Sequence, residues 1–276
     1  MTGTFTICGT PIGNLGDLSE RAAATLASAD LIFAEDTRRT GQLLSHLGIA
    51  VPMKSFFAGN EMSRLGLLRS ELEKGTSVVL VTDAGMPVIS DPGASAIDAA
   101  VDAGATVTVI PGPSAVSAAL AVSGFTGDRF VFDGFLPRKG QERGRAIASI
   151  ARESRTTVMF ASPKRVARDL SDLASVLEDN RRIVVTRELT KVFEQIWRGS
   201  IVDASAYWEN EGTAKGEFTV VIEGARDVEP SIDDALDAAR ALIAQGSSTS
   251  DAVRTIADTH GVGRRDLYDR VIKSRS

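Results

Sequence analysis

The sequence is short of the residues that most often announce a site. Its 276 residues include one cysteine and two histidines, so no intramolecular disulfide can form and too few soft ligands remain for a structural zinc site. No metal is expected. Aromatic residues make up only 5% of the chain; without a wide stacking platform, any contact with nucleic acid has to rest on charge and shape. No run reaches the roughly 18 to 20 apolar residues of a membrane span, and Met1 to Asp17 lack the basic start and apolar stretch of a secretory signal. These absences predict a cytoplasmic protein without a membrane partner. Positive charge is in deficit too. The net charge of −5 argues against a protein that coats nucleic acid over its whole surface, while leaving room for a local basic patch.

Three catalytic or nucleotide fingerprints are also missing. Neither G-x-x-x-x-G-K-[ST] nor G-x-G-x-x-G follows a predicted strand, which disfavours a P-loop nucleotidase and a dinucleotide oxidoreductase. No G-x-S-x-G elbow occurs. Cys8 closes a predicted buried strand, where core packing is its role, and His46 and His260 fall on predicted helices as surface or helix-end residues.

What is present is an ordinary globular composition, 43% hydrophobic and 24% charged, arranged as β-rich runs alternating with Ala- and Leu-rich segments of helical spacing. That pattern predicts an α/β fold with a largely parallel sheet. Strands are expected at 5–8, 31–34, 77–81 and 106–110, with helices at 19–29, 60–74 (Asn60 as N-cap), 94–103 and 114–123. After the turn-rich stretch Ser123 to Asp128, a second α/β unit is expected, with strands at 130–132, 156–161, 183–186, 193–198 and 218–223 and helices at 142–153 and 166–178. Gly224 to Pro230 reads as a linker. Three short helices broken at Gly246-Ser247 and Gly261-Val262-Gly263 then form a helix-turn-helix-like tail. The expected division is 1–123, 124–226 and 227–276.

In open α/β sheets, ligands bind beyond the carboxyl ends of the strands. Four loops at such positions are rich in Gly, Pro, Asp and Ser: Gly9 to Asn14, Glu35 to Arg38, Thr82 to Pro87 with Ser90 to Gly93, and Pro111 to Ala115. Glycine permits close approach of backbone to ligand, proline stiffens the loop, and free N–H groups at the next helix start receive an anion. One such loop is an ordinary turn. Four in one domain point to a pocket for a small anionic or zwitterionic ligand.

Read as a set, Gly9-Thr10-Pro11-Ile12-Gly13-Asn14-Leu15, Ala34-Glu35-Asp36-Thr37-Arg38, Asp83-Ala84-Gly85-Met86-Pro87 with Ser90-Asp91-Pro92-Gly93, and Pro111-Gly112-Pro113-Ser114-Ala115 carry a family resemblance. So do Gly134-Phe135-Leu136-Pro137-Arg138-Lys139, Ser162-Pro163-Lys164-Arg165, Arg187-Glu188-Leu189-Thr190-Lys191 and Lys215-Gly216-Glu217-Phe218. In order and over nearly the whole chain, the set resembles the family of ribosomal RNA small subunit methyltransferase I, within the tetrapyrrole methylase superfamily. The resemblance implies two α/β domains with S-adenosylmethionine bound in the cleft between them, a homodimer, and 2′-O-methylation of a cytidine ribose in 16S rRNA near the decoding centre. It implies the 16S rRNA or the 30S ribosomal subunit as partner.

Carried over position by position, the resemblance assigns the methyl donor to Pro11, Ala84, Gly85, Met86, Ile89, Ser114, Ala115, Ala161, Leu189 and Gly216. Many superfamily members have G-D-P in the third loop where this chain has Gly85-Met86-Pro87, so the acidic group is displaced to Asp83, a further candidate for holding the donor. A ribose hydroxyl is weakly acidic and benefits from a base or from a cation that stabilises its alkoxide. Glu188 and Lys191 are the candidates, with Glu35 and Asp36 beside them; an ion pair at the domain seam is an equal reading of Glu188 and Lys191. For RNA the basic clusters are Arg38-Arg39, Arg138-Lys139 with Arg143 and Arg145, Lys164-Arg165 with Arg168, and Arg181-Arg182, and the tail adds Arg264, Arg265, Arg270, Lys273 and Arg275. Two other readings stand beside this one: a C-methyltransferase of tetrapyrroles, and a non-catalytic ribosome-assembly factor.

Overall fold

Short runs of Val, Ile, Leu and Phe form the strands of two separate five-stranded sheets. The computed structural model describes residues 2–226 and 232–273. Both sheets belong to one unit that ends at Ala225, and the tail forms a second unit.

The first sheet contains β1 (Thr4–Cys8), β2 (Leu31–Ala34), β3 (Met53–Ser55), β4 (Ser77–Val81) and β5 (Thr106–Ile110), in the order β3-β2-β4-β1-β5. All its pairings are parallel. Its central strands are mostly apolar, with Thr6 buried among them, because both faces are covered. Phe5, Ile7, Phe33, Val78 and Leu80 pack on one face against α3 (Glu61–Glu73) and α4 (Ala94–Asp102); Cys8, Ile32, Val79 and Val81 pack on the other against α1 (Glu20–Ala27) and α2 (Thr37–His46). Ser19 caps α1 by accepting from the Ala22 N–H at 3.1 Å. Asn60 precedes α3 but caps none of its N–H groups; its side chain instead accepts from the Phe57 N–H and donates to Ser55.

Strand order places the site. From β1 the chain moves to β2 on one side, and from β4 it moves to β5 on the other, so the loops leaving the adjacent strands β1 and β4 part and open a crevice. Thr10 and Gly85 bridge its floor with paired main-chain hydrogen bonds of 2.9 and 3.1 Å.

The second sheet contains β6 (Phe130–Phe135), β7 (Thr156–Ala161), β8 (Arg182–Arg187), β9 (Gln195–Ser200) and β10 (Phe218–Ile222), ordered β6-β7-β10-β8-β9. Here the expectation of a largely parallel sheet fails: only β6 and β7 are parallel, and the other three pairings are antiparallel. Strands β8 and β9 are joined by a short loop rather than by a helical crossover, and only antiparallel neighbours can be joined so briefly. One face packs on α6 (Gly140–Arg152), α7 (Val166–Ala174) and α8 (Ile201–Asn210). α8 is unanticipated, its Ile201, Val202, Tyr207 and Trp208 being modest helix formers. The opposite face, with Val158, Val184 and Val221, receives Val116, Ala119 and Leu120 of α5 (Ala115–Ser123). That helix follows the first sheet in sequence but packs on the second, so the first half reaches across to the second and the two sheets form a single unit.

In the tail, α9 (Ile232–Ala244), α10 (Thr249–His260) and α11 (Arg264–Lys273) close on Ala235, Ala239, Val253, Ile256, Leu267 and Val271. Most of the expected linker, and Arg275, lie outside the described residues. Among the described residues no helix is long and apolar enough to cross a membrane.

Candidate active site

The loops that leave the first sheet meet β7 and the start of β10 around a cavity of about 370 Å³, at the lower end of the range for small-ligand sites. Its wall includes Asp83, Ala84, Gly85, Met86, Ile89, Ser114, Ala115, Ala161 and Gly216, nine of the donor residues expected above. Pro11 lines an adjoining cavity of about 300 Å³ together with Lys191. Leu189 is on neither wall and packs into the apolar face under α5.

Part of the larger cavity's wall is built from small residues, Ala84, Gly85, Ser114, Ala115, Ala161 and Gly216. Gly85 has φ +80°, a conformation that side chains rarely adopt, and a Cβ there would sit in ordinary contact with Ile12 and the Pro113 carbonyl. At the crevice floor a Cβ on Gly9 would come within 2.7 Å of the Gly112 backbone, so the loops after β1 and β5 touch only because both residues lack side chains. Ser114 precedes α5 without capping it, leaving N–H groups at that helix start open to an anion. Phe135 and Phe160, 5.5 Å apart, supply an apolar wall that the low aromatic count had not suggested. A cradle of main-chain groups with an aromatic side suits S-adenosylmethionine.

Carboxylates gather at the junction of the two cavities. Asp83 accepts the Asp36 N–H at 3.0 Å and lies 3.5 Å from the Arg39 guanidinium, while Glu35 accepts the Asp83 N–H at 3.2 Å. Burial, with the charges of Asp83 and Asp36, raises the Glu35 pKa. Asp91, on the same wall, is pushed up to about 6 by burial and by the charges of Glu35 and Asp83. Asp36 is drawn aside into an ion pair with Arg38 at 2.7 Å, which holds its carboxyl far below the ordinary range. Among the described residues no group of His, Cys, Asp and Glu is placed to hold a metal ion.

Glu188 and Lys191 do come together, at 2.8 Å, and Lys191 also reaches Glu217 at 3.0 Å. Burial acts against the Lys191 charge, but its two carboxylate partners outweigh that and raise its pKa. Burial likewise opposes the Glu188 charge and is outweighed by Lys191 and the Glu217 N–H, so its pKa falls. Lys191 therefore stays a cation facing the smaller cavity, and Glu188 is its anchor.

The basic clusters separate. Arg39 lines both cavities. Arg38, Arg138, Lys139 and Lys164 are exposed. Arg165 is half-buried and donates to the Leu136 carbonyl at 3.0 Å and to Ser162. Arg143 and Arg181 are buried, the first on Asp169 and Asp172, the second on the Ala151 and Glu223 carbonyls, so neither faces an RNA. Cys8 is buried with its thiol pushed up to about 12, which keeps it unreactive. His46 and His260 each end a helix.

Four non-glycine residues have positive φ among those described, and all lie in the loops around these cavities: Val88, Ser90, Glu188 and Thr190. No sequence signal marked them, since none is Gly, Asn or Asp, the types that favour this region.

Residues 4–205 match the family model of Tetrapyrrole (Corrin/Porphyrin) Methylases. The chain belongs to this family. Residues 230–275 match the RsmI C-terminal HTH domain. Among curated relatives, Ribosomal RNA small subunit methyltransferase I of Synechocystis sp. is 44% identical over 269 residues, covering 96% of each chain. The protein of the same name from Mycobacterium tuberculosis is 42% identical over 277 residues, covering 99% of this chain and 96% of that one. Solved structures with the same fold include the methyltransferase CobJ (TM-score 0.62, 21% identity, covering 81% of this chain and 95% of that one). Uroporphyrin-III-C-methyltransferase from Thermus thermophilus is another (TM-score 0.58, 16% identity, 79% and 94% covered). This tetrapyrrole methylase is a methyltransferase whose donor is S-adenosylmethionine.

Proposed function

We propose that this methylase transfers a methyl group to the 2′-hydroxyl of a cytidine in 16S rRNA, near the decoding centre, acting on the 30S subunit in the cytoplasm. The observation that carries the reading is the pair of adjoining cavities, which share Ile12, Arg39, Asp83, Ala84 and Glu217 as a common wall. A donor lies in the larger cavity, and a nucleotide held in the smaller one passes its ribose hydroxyl across that wall into the larger. The relatives' names supply the acceptor class.

S-adenosylmethionine supplies a methyl group already activated on a sulfonium, so the chain's tasks are alignment, exclusion of water and management of the hydroxyl proton. Gly85, Met86, Ser114, Ala115, Ala161 and Gly216 hold the donor through backbone and small side chains. Lys191, fixed by Glu188 and Glu217, stabilises negative charge growing on the ribose oxygen. Arg38, Arg39, Arg138, Lys139, Lys164 and Arg165 follow the phosphates around the opening.

In this reading residues 1–123 and 124–226 are the two walls of the cleft and 227–276 an accessory RNA contact. A homodimer is supported by the edge strand β5, where Val109 and neighbouring Val101 are 52% and 60% exposed. The test is methyl transfer from labelled S-adenosylmethionine to 30S subunits lacking the modification, followed by mapping of 2′-O-methyl groups. One modified cytidine is expected. No transfer to RNA, with transfer instead to a uroporphyrinogen, would sink the assignment.

A further inference from the structure

Four carboxylates face the donor cavity, Glu35, Asp83, Asp91 and Glu217, and their surroundings differ in a way that separates their chemistry. Glu217 is paired with Lys191 at 3.0 Å. Glu35 accepts the main-chain N–H of Asp83, and Asp83 accepts that of Asp36 and stands beside Arg39. Each is committed to stabilising partners. Among the described residues no main-chain N–H and no cation is paired with Asp91. Its neighbours are the carboxylates of Glu35 and Asp83 and the hydroxyl of Thr82, whose Oγ1 is buried and makes no well-formed hydrogen bond.

The backbone around Asp91 is held under strain. Val88 and Ser90 have φ of +78° and +64°, and Gly93 follows at +137°. For a β-branched residue such as Val88 this is a true outlier. The turn is closed by the Val88 N–H donating to the Pro92 carbonyl at 3.3 Å. Adding a Cβ to Gly93 would collide with Leu80 at 2.9 Å. The fold thus accepts strain on both sides of one carboxylate and sets that carboxylate in the cavity wall beside Ala84, Gly85 and Met86.

We propose that Asp91 is the proton acceptor for the hydroxyl that this enzyme methylates, with Glu35 and Asp83 acting as positioning residues. The inference rests on the hydroxyl-methylation reading above. The hydroxyl proton passes to an Asp91 carboxylate oxygen. The oxygen's electron pair forms the new bond to the methyl carbon, and the pair of the broken carbon–sulfur bond stays on sulfur, giving a neutral thioether. Asp91 then returns its proton to water. Groups facing Asp91 are Glu35, Asp83 and Thr82, with Arg39 and Glu217 on the same cavity wall. Burial and the two carboxylates raise its affinity for a proton into the range where a base works near neutral pH.

The experiment measures single-turnover methylation of 30S subunits at saturating donor from pH 5 to 8, calorimetric donor binding, and an NMR titration of carboxyl-labelled aspartates in the protein alone. Wild-type rates are expected to rise with pH through an inflection near the Asp91 titration. Asp91→Asn is expected to lose about 10²- to 10⁴-fold in rate and the inflection with it, while donor affinity is kept. Glu35→Gln is expected to move both the Asp91 resonance and the inflection to lower pH. Wild-type rates in Asp91→Asn overturn the proposal, as does an inflection that ignores Glu35→Gln. Loss of donor binding in both Asp91→Asn and Asp91→Ser would assign the residue to holding the donor and overturn it as well. Failure of the wild-type enzyme to methylate any RNA hydroxyl would instead strike the underlying function.

Discussion

Arg143 keeps 6% of its side chain exposed and divides its guanidinium between Asp169 at 2.9 Å and Asp172 at 2.6 Å. Asp169 is 1% exposed, so removing the arginine strands a buried carboxylate. Arg143→Ala is expected to cost about 3 to 5 kcal/mol in a denaturant melt, and Asp169→Asn in the same background to recover part of it; a loss under about 1 kcal/mol would place the pair among weak surface bridges. Glu153, half-buried beside the more exposed Arg155, shows a different regime. Arg155 holds its pKa down at about 2 through side-chain and main-chain hydrogen bonds. Because the folded value lies below the unfolded one, near 4.3, this contribution is present above about pH 4 and is lost as pH falls towards 2. The stability gap between wild type and Glu153→Gln should therefore close over that window in acid titrations, and a constant gap would refute it. At the site, Lys191→Ala should lower single-turnover methylation by about 10²-fold, with a smaller loss for Glu188→Ala, which only loosens the lysine. Equal rates in all three proteins would remove both residues from the chemistry.

The elements matter here mainly through their ends. β1 and β4 lie side by side, yet the chain leaves them in opposite directions, and the separation of those two loops makes the crevice. The loop from Arg187 to Lys191 closes it from the other sheet: Thr190 Oγ1 accepts the Asn14 N–H at 3.1 Å, and Lys191 lies against Gly13. Gly216, at φ +93°, leaves room for the Glu188 carboxylate that fixes Lys191, and a Cβ would collide with that side chain. Gly216→Ala is thus expected to destabilise the fold by about 1 kcal/mol and to weaken donor binding by calorimetry. Unchanged donor affinity would remove Gly216 from the donor site.

For the whole molecule, a net charge of −5 is compatible with an RNA substrate because the exposed cations are placed unevenly. The tail carries little of this burden. Residues 232–273 hold seven aspartates against five arginines and one lysine, and Arg240, Arg254, Arg264 and Arg270 are paired with Asp237, Asp251, Asp258 and Asp233. Neutralising Arg38, Arg138, Lys139 and Lys164 together should therefore weaken subunit binding more than neutralising Arg265 and Lys273. The slope of log affinity against log salt should flatten by about 0.7 to 0.9 for each phosphate that the variant no longer neutralises, while donor binding stays as in wild type. A tail variant that weakens binding more would reverse the assignment.

The sequence by itself determined four of the five strands of the first sheet, because strands buried on both faces are mostly apolar, as in Val78, Val79, Leu80 and Val81. It also marked most of the loops that line the larger cavity, because Gly, Pro and small residues let backbone approach a ligand, and these types can be read directly. Only the tertiary structure decided the antiparallel character of the second sheet, since an apolar run such as Phe218–Ile222 fits either direction. It alone separated Arg143 and Arg181 from exposed neighbours of the same type, because burial of a cation depends on carboxylates and carbonyls distant in sequence. The same holds for Asp91. Its raised proton affinity comes from burial and from the charges of Glu35, on another loop, and Asp83, earlier on its own, and nothing local in Ser90-Asp91-Pro92 records that these carboxylates share one wall.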